Sequence, residues 1–485
     1  METNNDNNSS PSQSQQLEDE DLLSTLTDDI LLSILGRVGL RIAASTCVLS
    51  TRWRHLPWLL PELSIDVKEF LSGPCRDPAE ENDMDQAMTS LTKATKSFLT
   101  KPRKGSSISR LRLQLYLINT SLREVGPLVG GAVNNGLLKD LDLTVLDEID
   151  PLDHSDDDMR QRAQDIDTFF RAYPSVLHCL TKLSLQNASF DKLDLHHVLF
   201  DCCRQLKYLS LCCCHTGTYS VFKIDAPNSQ LCDLETERCN FERIELVCLP
   251  KLEKLRCTTW VSRHVPVTLG FVPSLGELEL SCGKTYDRRP FKLSELLHGT
   301  TSIHTLTLDF QGENIWLQPE MEELRAAFNN LKELNVCGIF VEFDILWTTA
   351  FLVAAPSIEK LHIRVWHHVC DMDFRGVCFS DRRTPQWEMR FDGSENRLLK
   401  ELEICGFRAM EQQFTFIRSV LERSPNFQRI ILRGDDLCDE CDTLDASLFP
   451  LKFPEHDEEE MVVKRIRDGI FSPEIIFDED WSLSI

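Results

Sequence analysis

Cysteine and histidine are the residues of this chain whose types and spacing could do chemistry. Cys438 and Cys441 form a Cys-x-x-Cys pair with the spacing of zinc ligands, and 202–203 and 212–214 are runs of adjacent cysteines. A structural zinc site needs four ligands, normally two such pairs or one pair with two histidines. No second Cys-x-x-Cys exists. We therefore interpret the thiols as buried packing groups and predict neither a bound metal nor a cofactor.

A second group of potential ligands consists of His362, His367, His368 and Cys370. Most of this group lies in what we interpret below as an insertion, and no acid that would orient a metal-bound histidine is identifiable beside it. A mobile surface loop is the favoured interpretation. The 13 His and 19 Cys could supply a catalytic triad only by chance, and neither GxxxxGK[ST] nor GxGxxG is present. The sequence thus predicts a chain that is not an enzyme.

Charge and hydropathy limit the partners of the chain. Among 485 residues, 52 Lys+Arg face 77 Asp+Glu, a formal net charge of −25, which argues against nucleic acid as a partner. The most apolar uncharged run, 345–358, is shorter than the roughly 20 residues of a membrane span. The N-terminus has no secretory signal, and an odd number of cysteines without one favours a reducing compartment. We expect a soluble intracellular protein in the cytoplasm and/or the nucleus, without membrane contact.

The N-terminal elements read as a polar leader followed by compact helices. Residues 1–21 are too polar to form a core, so we predict a disordered leader. Between Leu26 and Leu63, Thr27 can cap a first helix, 41–48 reads as a second, and Ser50 can cap a third. So small a unit cannot bury all of its apolar side chains. Either the rest of the chain or another protein must cover them.

A repeated pattern determines the architecture of the remaining chain. After a predicted helix at 84–99, the motif LxxLxL recurs, mostly every 21 to 30 residues, which is typical of leucine-rich repeats. Two longer gaps indicate insertions at 147–158 and 366–387, and 457–468 and 473–477 read as a capping helix and strand. Such repeats stack into a solenoid with a parallel sheet on its concave face. The central residues are Leu111, Leu141, Leu183, Leu209, Leu234, Leu255, Leu278, Leu306, Leu334, Leu361, Leu402 and Ile430.

Two segments resemble a known family. The stretch 26–67, with the landmarks 29–31 (DIL), 48–50 (VLS) and 52–53 (RW), resembles the F-box of plant F-box/leucine-rich-repeat proteins. The stretch 398–432 resembles the FBD-type module of the same group. The resemblance implies an α/β fold, an N-terminal three-helix F-box followed by a leucine-rich-repeat solenoid with a parallel concave sheet. The implied segments are a leader (1–21), the F-box (22–67), a linker and helix (68–107), the solenoid (108–397), FBD-like terminal repeats and loop (398–455) and a capping segment (456–485).

The same resemblance implies a function. Members of the family are substrate-recognition subunits of Skp–cullin–F-box ubiquitin ligases: the F-box binds the Skp adaptor, and through it cullin, while the repeats bind a protein target. The alternative is a leucine-rich-repeat interaction scaffold that does not engage the ligase, and Thr27, where the family usually has Pro, favours it. The predicted adaptor-binding residues are Leu26, Ile30, Leu31, Ile34, Leu35, Val38, Leu40, Val48, Leu49 and Trp53.

Target binding is predicted from charges on the repeat strands. Residues beside each central leucine face the concave side and come in blocks of one sign, acidic at 233–237 and 401–403, basic at 254–256 and 429–433. One interpretation is a charge-patterned docking surface for a protein of unknown identity. The other is a self-neutralising ladder, in which opposite charges on neighbouring strands pair with one another. We place the docking surface beside the second insertion, which supplies Trp366 and Trp387. The predicted target-binding residues are Lys360, Arg364, Trp366, Arg429 and Arg433.

Overall fold

The computed structural model describes residues 22–71, 81–101, 103, 107–117, 119–147, 153–217, 219–283, 289–320, 323–340, 343–366, 387, 395–434, 453–467 and 473–478. Its main feature is a parallel sheet of 14 strands whose order follows the chain. The strands of this sheet are β1 Glu62–Asp66, β2 Ile108–Tyr116, β3 Leu138–Leu146, β4 Leu180–Gln186, β5 Tyr208–Cys212, β7 Asp233–Glu237, β9 Lys254–Thr258, β11 Glu277–Ser281, β12 Thr305–Asp309, β13 Glu333–Phe340, β14 Lys360–Trp366, β15 Glu401–Cys405, β16 Arg429–Arg433 and β17 Glu474–Asp478.

The segments between these strands form the opposite layer. They contain 3-10 turns, helices and, in the middle of the chain, a second parallel sheet of three strands. Those strands are β6 Ser220–Asp225, β8 Phe241–Cys248 and β10 Val267–Phe271. The helices are α1 Leu22–Thr25, α2 Asp28–Leu35, α3 Leu40–Ser45, α4 Glu81–Thr100, α5 Asn119–Asn134, α6 Asp156–Ala172, α7 Pro174–Cys179, α8 Leu293–Leu296, α9 Leu324–Ala327, α10 Thr349–Ala354, α11 Glu411–Arg423 and α12 His456–Ile466.

The repeated leucines form the core of the main sheet. Most of its strands alternate buried and half-exposed residues, so that one face packs on the opposite layer and the other, concave, face is open. From Leu183 to Ile430 the predicted central residues are direct partners on neighbouring strands. The predicted repeat solenoid and its parallel sheet are confirmed.

The first repeats differ from the predicted register. Leu111 pairs with Leu141, but a bulge between β3 and β4 places Leu183 beside Leu143 instead. The sheet also begins before Leu111, because β1 lies within the segment predicted as the F-box and pairs with β2 through Leu63. A further irregularity occurs in β13, where Gly338 has a φ of +63° and the register with β14 shifts.

The helices before β1 are placed differently from the prediction, because α1 precedes the predicted segment. α2 and α3 occupy the places of the first two helices, but the predicted third helix is absent: 51–55 forms turns, and Leu56–Leu59 is a 3-10 turn that contains Pro57. Ser50 Oγ accepts a hydrogen bond from the Trp53 N–H at 3.3 Å, which closes one turn only. Proline lacks an N–H and fits only the first turn of a helix, so the few residues before it cannot extend into one.

The helix and the strand predicted after the last repeat are both present. β17 pairs with β16, and α12 buries Val462 and Ile466. Between β15 and β16, α11 buries Phe414 and Phe416, and thus completes one more strand–helix–strand repeat. The FBD-like character of this segment stays a prediction. None of the helices in the described ranges has both the length and the apolar character needed to cross a bilayer.

Candidate protein-binding surfaces

The first candidate surface lies on α2, where neighbouring residues have opposite environments. Leu31 and Leu35 are in the core, with Leu35 only 3% exposed, whereas Ile30 and Ile34 are on the outside, with Ile34 39% exposed. Each pair is four residues apart, so the helix has two parallel apolar stripes. One stripe stabilises the chain, and the other is available to a partner.

The other predicted adaptor-binding residues divide in the same way. Leu40 and Trp53 are buried, and Leu26 is partly buried against the core. The prediction is therefore wrong for Leu31, Leu35, Leu40 and Trp53 as surface residues, because their burial leaves them no face for a partner. Sequence reasoning also missed Ile42, which α3 exposes. The exposed members of the predicted set are Ile30, Ile34, Val38, Val48 and Leu49.

These exposed side chains are concentrated in one short segment. Within the described part of the chain, 14 large hydrophobic side chains are exposed, and seven of them lie between Leu23 and Leu49. Val48 is 88% exposed. Clusters of exposed apolar side chains mark interaction sites on soluble proteins. We name this set, Ile30, Ile34, Val38, Ile42, Val48 and Leu49, the N-terminal apolar surface.

Polar contacts hold the segments that carry this surface. Arg52 forms an ion pair with Asp28 at 2.7 Å and donates to the Leu26 carbonyl, which ties the turn after α3 to the start of α2. Thr27 precedes α2 without a side-chain cap, and its φ of −72° is close to the angle that proline would impose. Thr27 therefore leaves the backbone on the path that proline would give it.

The second candidate surface is the concave face, where charges pair between neighbouring strands. Arg256 on β9 lies 3.4 Å from Glu235 on β7, and Lys254 lies 2.7 Å from Glu277 on β11. Near the first repeats, Arg112 on β2 lies 3.3 Å from Glu62 on β1. Opposite charges on adjacent strands attract one another, as the ladder interpretation requires.

The predicted target-binding residues belong in part to this ladder. Lys360 lies 3.9 Å from Glu401, and Arg429 forms an ion pair with the same carboxylate from the other side. Arg433, 15% exposed, bridges Glu403 at 2.7 Å and Asp478 at 3.2 Å. These three cations therefore neutralise acidic residues of the sheet.

Arg364 differs from the other predicted cations. It is exposed on β14, and no carboxylate of the described residues lies within ion-pair distance of it. Trp366, at the end of the same strand, is half-buried and pairs with Phe340 of β13. Trp387 packs its ring against Trp347 and Phe351, at 4.9 and 5.5 Å between ring centroids. Trp387 is thus partly buried against the core, and its place at a docking surface stays a prediction.

A group of side chains on β14 and β15 was missed by sequence reasoning. The donor atoms of His362, Glu403 and Cys405 all lie within 4.8 Å of one another. His362 Nε2 is 3.2 Å from Cys405 Sγ, which donates to Glu403 Oε1 at 3.7 Å. Burial lowers the pKa of His362 and raises the pKa of Cys405 to about 12, so both groups are neutral at pH 7. Alignment of the repeats would have revealed the group, since His362 and Glu403 both follow the central residue.

Two further cysteines behave as packing groups. Cys214 and Cys239 are buried, and their thiols donate to the carbonyls of Leu185 and Leu211. Burial raises the pKa of Cys214 to about 12. Cys438 and Cys441 lie outside the described residues, as do His367, His368 and Cys370.

Together these features define a class of protein: a leucine-rich-repeat solenoid preceded by a small helical unit with an exposed apolar surface. Residues 170–456, more than half of the chain, match the family model described as "At1g61320/AtMIF1, LRR domain", and the chain belongs to this family.

Curated relatives agree with the predicted resemblance to plant F-box/leucine-rich-repeat proteins, which is confirmed. The chain is 50% identical over 63 residues to "F-box protein At4g27050" and 28% identical over 280 residues to "F-box/LRR-repeat protein At2g42720", both of Arabidopsis thaliana. These matches cover 13% and 54% of this chain, and 14% and 53% of the relatives. The chain thus spans about half of the second relative and a small part of the first.

One solved structure resembles the whole chain weakly. The alignment with a chain of the structure titled "Crystal structure of Rad7 and Elc1 complex in yeast" spans 90% of this chain and 92% of that chain. The two chains are 13% identical, and the TM-score is 0.30. Likeness at that level carries no argument about function.

Proposed function

We propose that this chain is the substrate-recognition subunit of a Skp–cullin–F-box ubiquitin ligase. Its F-box would bind the Skp adaptor, and through it cullin, while its repeats bind a protein target. The observation that supports this best is the N-terminal apolar surface, which includes Ile34 and Val48 and which no other described residue of the chain covers. The similarity of the chain to F-box proteins supports the same proposal. The expected location is the cytoplasm and/or the nucleus.

Such a subunit needs no covalent chemistry of its own. By holding a target near a conjugating enzyme that carries ubiquitin, it raises the effective concentration of the target's lysines at that enzyme. This is consistent with relatives that are F-box proteins and with a family model that describes a repeat domain. The chain would thus act as a non-catalytic receptor.

The proposed target site is the concave face at β14. Arg364 is the predicted cation that the ladder leaves unpaired among the described residues, and Trp366 ends the same strand. On a chain with a net charge of −25, a local cation favours an acidic segment of a target. Lys360, Arg429 and Arg433 would contribute to this potential, although their first partners are Glu401 and Glu403.

Adaptor binding is tested by two charge substitutions on the exposed stripe. The variant Ile34→Glu/Val48→Glu should lose adaptor capture, because anchors at the centre of an interface contribute about 2 kcal/mol or more each. The readout is co-purification of Skp adaptor and cullin with the full chain from plant cells. Leu35 is unsuitable for this test, because its burial would make a charge unfold the F-box.

A matched control uses exposed apolar residues elsewhere. Val221→Glu/Phe271→Glu alters the outer face of the three-stranded sheet and should leave adaptor capture unchanged. If the Ile34/Val48 variant, folded by circular dichroism, still captures adaptor at the wild-type level, the assignment is wrong. Capture of neither adaptor nor cullin by the wild-type chain would favour the alternative, an interaction scaffold outside the ligase.

A further inference from the structure

Three side chains on the concave face have the donor types of a transition-metal site. His362 on β14 and Glu403 and Cys405 on β15 offer a nitrogen, an oxygen and a sulfur atom within 4.8 Å of one another. This is the combination that zinc uses in proteins, with bond lengths of about 2.0 to 2.3 Å. Magnesium and calcium prefer sites of oxygen atoms alone.

The distances between the donors agree with tetrahedral coordination. Bonds of that length at a tetrahedral angle place sulfur about 3.5 Å from the nitrogen or oxygen ligand. Here Cys405 Sγ lies 3.2 Å from His362 Nε2 and 3.7 Å from Glu403 Oε1. These two pairs therefore need shifts of only a few tenths of an ångström to hold a metal ion, and the donor atoms of His362 and Glu403 lie within 4.8 Å of one another.

The position of the donors on the sheet explains why they converge. His362 and Glu403 are direct partners in the parallel register, and Cys405 is two residues further along β15, on the same face. Regular strands determine the placement of all three, which is more precise than placement by loops. Glu403 is also bonded to Arg433, and a carboxylate ligand is commonly held by such an outer partner.

Charge around the site is close to balanced. A divalent ion would be neutralised by the Glu403 carboxylate and the Cys405 thiolate, which releases its proton on binding, while Asp478 remains as the partner of Arg433. Arg364 adds a nearby positive charge, but its exposure allows water and salt to screen it.

We propose that His362, Glu403 and Cys405 form a zinc-binding site on the concave face. Three protein ligands leave a fourth position for water or for a side chain of a bound protein. A zinc ion would also join β14 to β15, two strands that are separated in sequence by residues 367–400. The proposal revises the sequence-based expectation of no metal, and it is independent of the proposed ligase function.

The test uses the full chain, stripped of metal under reducing conditions and titrated with Co²⁺ as a spectroscopic probe and with Zn²⁺ in competition. The wild-type chain should bind one Co²⁺ with a thiolate-to-metal charge-transfer band. Cys405→Ala should abolish this band, and His362→Gln should weaken binding by more than about tenfold. Cys232→Ser, a half-buried thiol remote from the site, is the matched control and should bind as the wild type does.

The pair Cys438 and Cys441 is the competing source of thiolate ligands. The variant Cys438→Ser/Cys441→Ser should retain the band. Loss of the band in this variant and its retention in Cys405→Ala would overturn the proposal, as would the absence of stoichiometric binding by the wild type.

A second measurement does not depend on the folding of any variant. In the wild-type chain, Zn²⁺ should slow the alkylation of Cys405 at least tenfold, as measured by mass spectrometry of peptides, and leave Cys232 unaffected. An unchanged alkylation rate at Cys405 would overturn the proposal.

Discussion

Replacement of Arg433 by alanine should loosen the C-terminal edge of the sheet. The guanidinium lies 2.7 Å from Glu403 on β15 and 3.2 Å from Asp478 on β17. The exposed fraction of the side chain is 15% for Arg433, 18% for Glu403 and 31% for Asp478. Removal takes away the counter-charge that Arg433 supplies to two poorly solvated carboxylates. Breaking a buried pair costs about 3 to 5 kcal/mol and an exposed pair costs under about 1 kcal/mol. The partial exposure of this bridge places the loss near 2 kcal/mol.

Hydrogen exchange of the β17 amides measures this loss locally. Global melting would dilute the effect, because a repeat array of this length need not unfold in one step. β17 is a five-residue strand whose partner in the described sheet is β16, so its opening reports the bridge directly. A loss of about 2 kcal/mol corresponds to exchange roughly 30-fold faster.

The matched control is Arg364→Ala, which removes a cation that has no carboxylate in range among the described residues. Exchange in β17 should be unchanged by it. An acceleration of less than twofold in Arg433→Ala, or an equal acceleration in Arg364→Ala, would refute the assignment of Arg433 to the ladder.

Three further outcomes are expected. Arg364→Glu should lower target co-purification at least tenfold without a change in melting temperature; a lower melting temperature with intact capture would contradict the docking surface. Leu35→Ala should lower the free energy of unfolding by about 2 to 5 kcal/mol, and Ile34→Ala by much less, in denaturant titrations, because only Leu35 leaves a cavity. Gly338→Ala should cost about 1 to 3 kcal/mol in the same titrations, since a Cβ there would lie 2.2 Å from the Asp309 carboxylate at a positive φ; an unchanged midpoint would contradict this.

The repeat sheet was predictable from the sequence because each strand repeats one local pattern. A central leucine such as Leu306 is followed by alternating polar and apolar residues, and stacking forces equivalent residues into register. The exception at Leu141 arises from a bulge in β3–β4 pairing, which the spacing of leucines does not encode. The three-stranded sheet was missed because the LxxLxL motif marks only the strands of the concave sheet, and β6, β8 and β10 lie between those strands.

The division of the F-box into core and surface was not predictable in the same way. α2 carries apolar residues on two adjacent stripes, so periodicity alone cannot distinguish Leu35 from Ile34. Packing against the 3-10 turn at 56–59 determines which stripe is buried, and the sequence analysis did not predict that turn. The His362 group was missed for another reason: its members are 41 to 43 residues apart, and only the pairing of β14 with β15 joins them.

The sequential strand order has a consequence for how the chain folds while the ribosome synthesises it. Every strand of the main sheet after β1 pairs with the strand that precedes it in that sheet, so its template has already been synthesised when it emerges. Translation at about 5 to 20 residues per second delivers a repeat every few seconds, far slower than the closure of a loop. The growing end is then a single open edge that moves along the chain as far as β17, the last strand among the described residues.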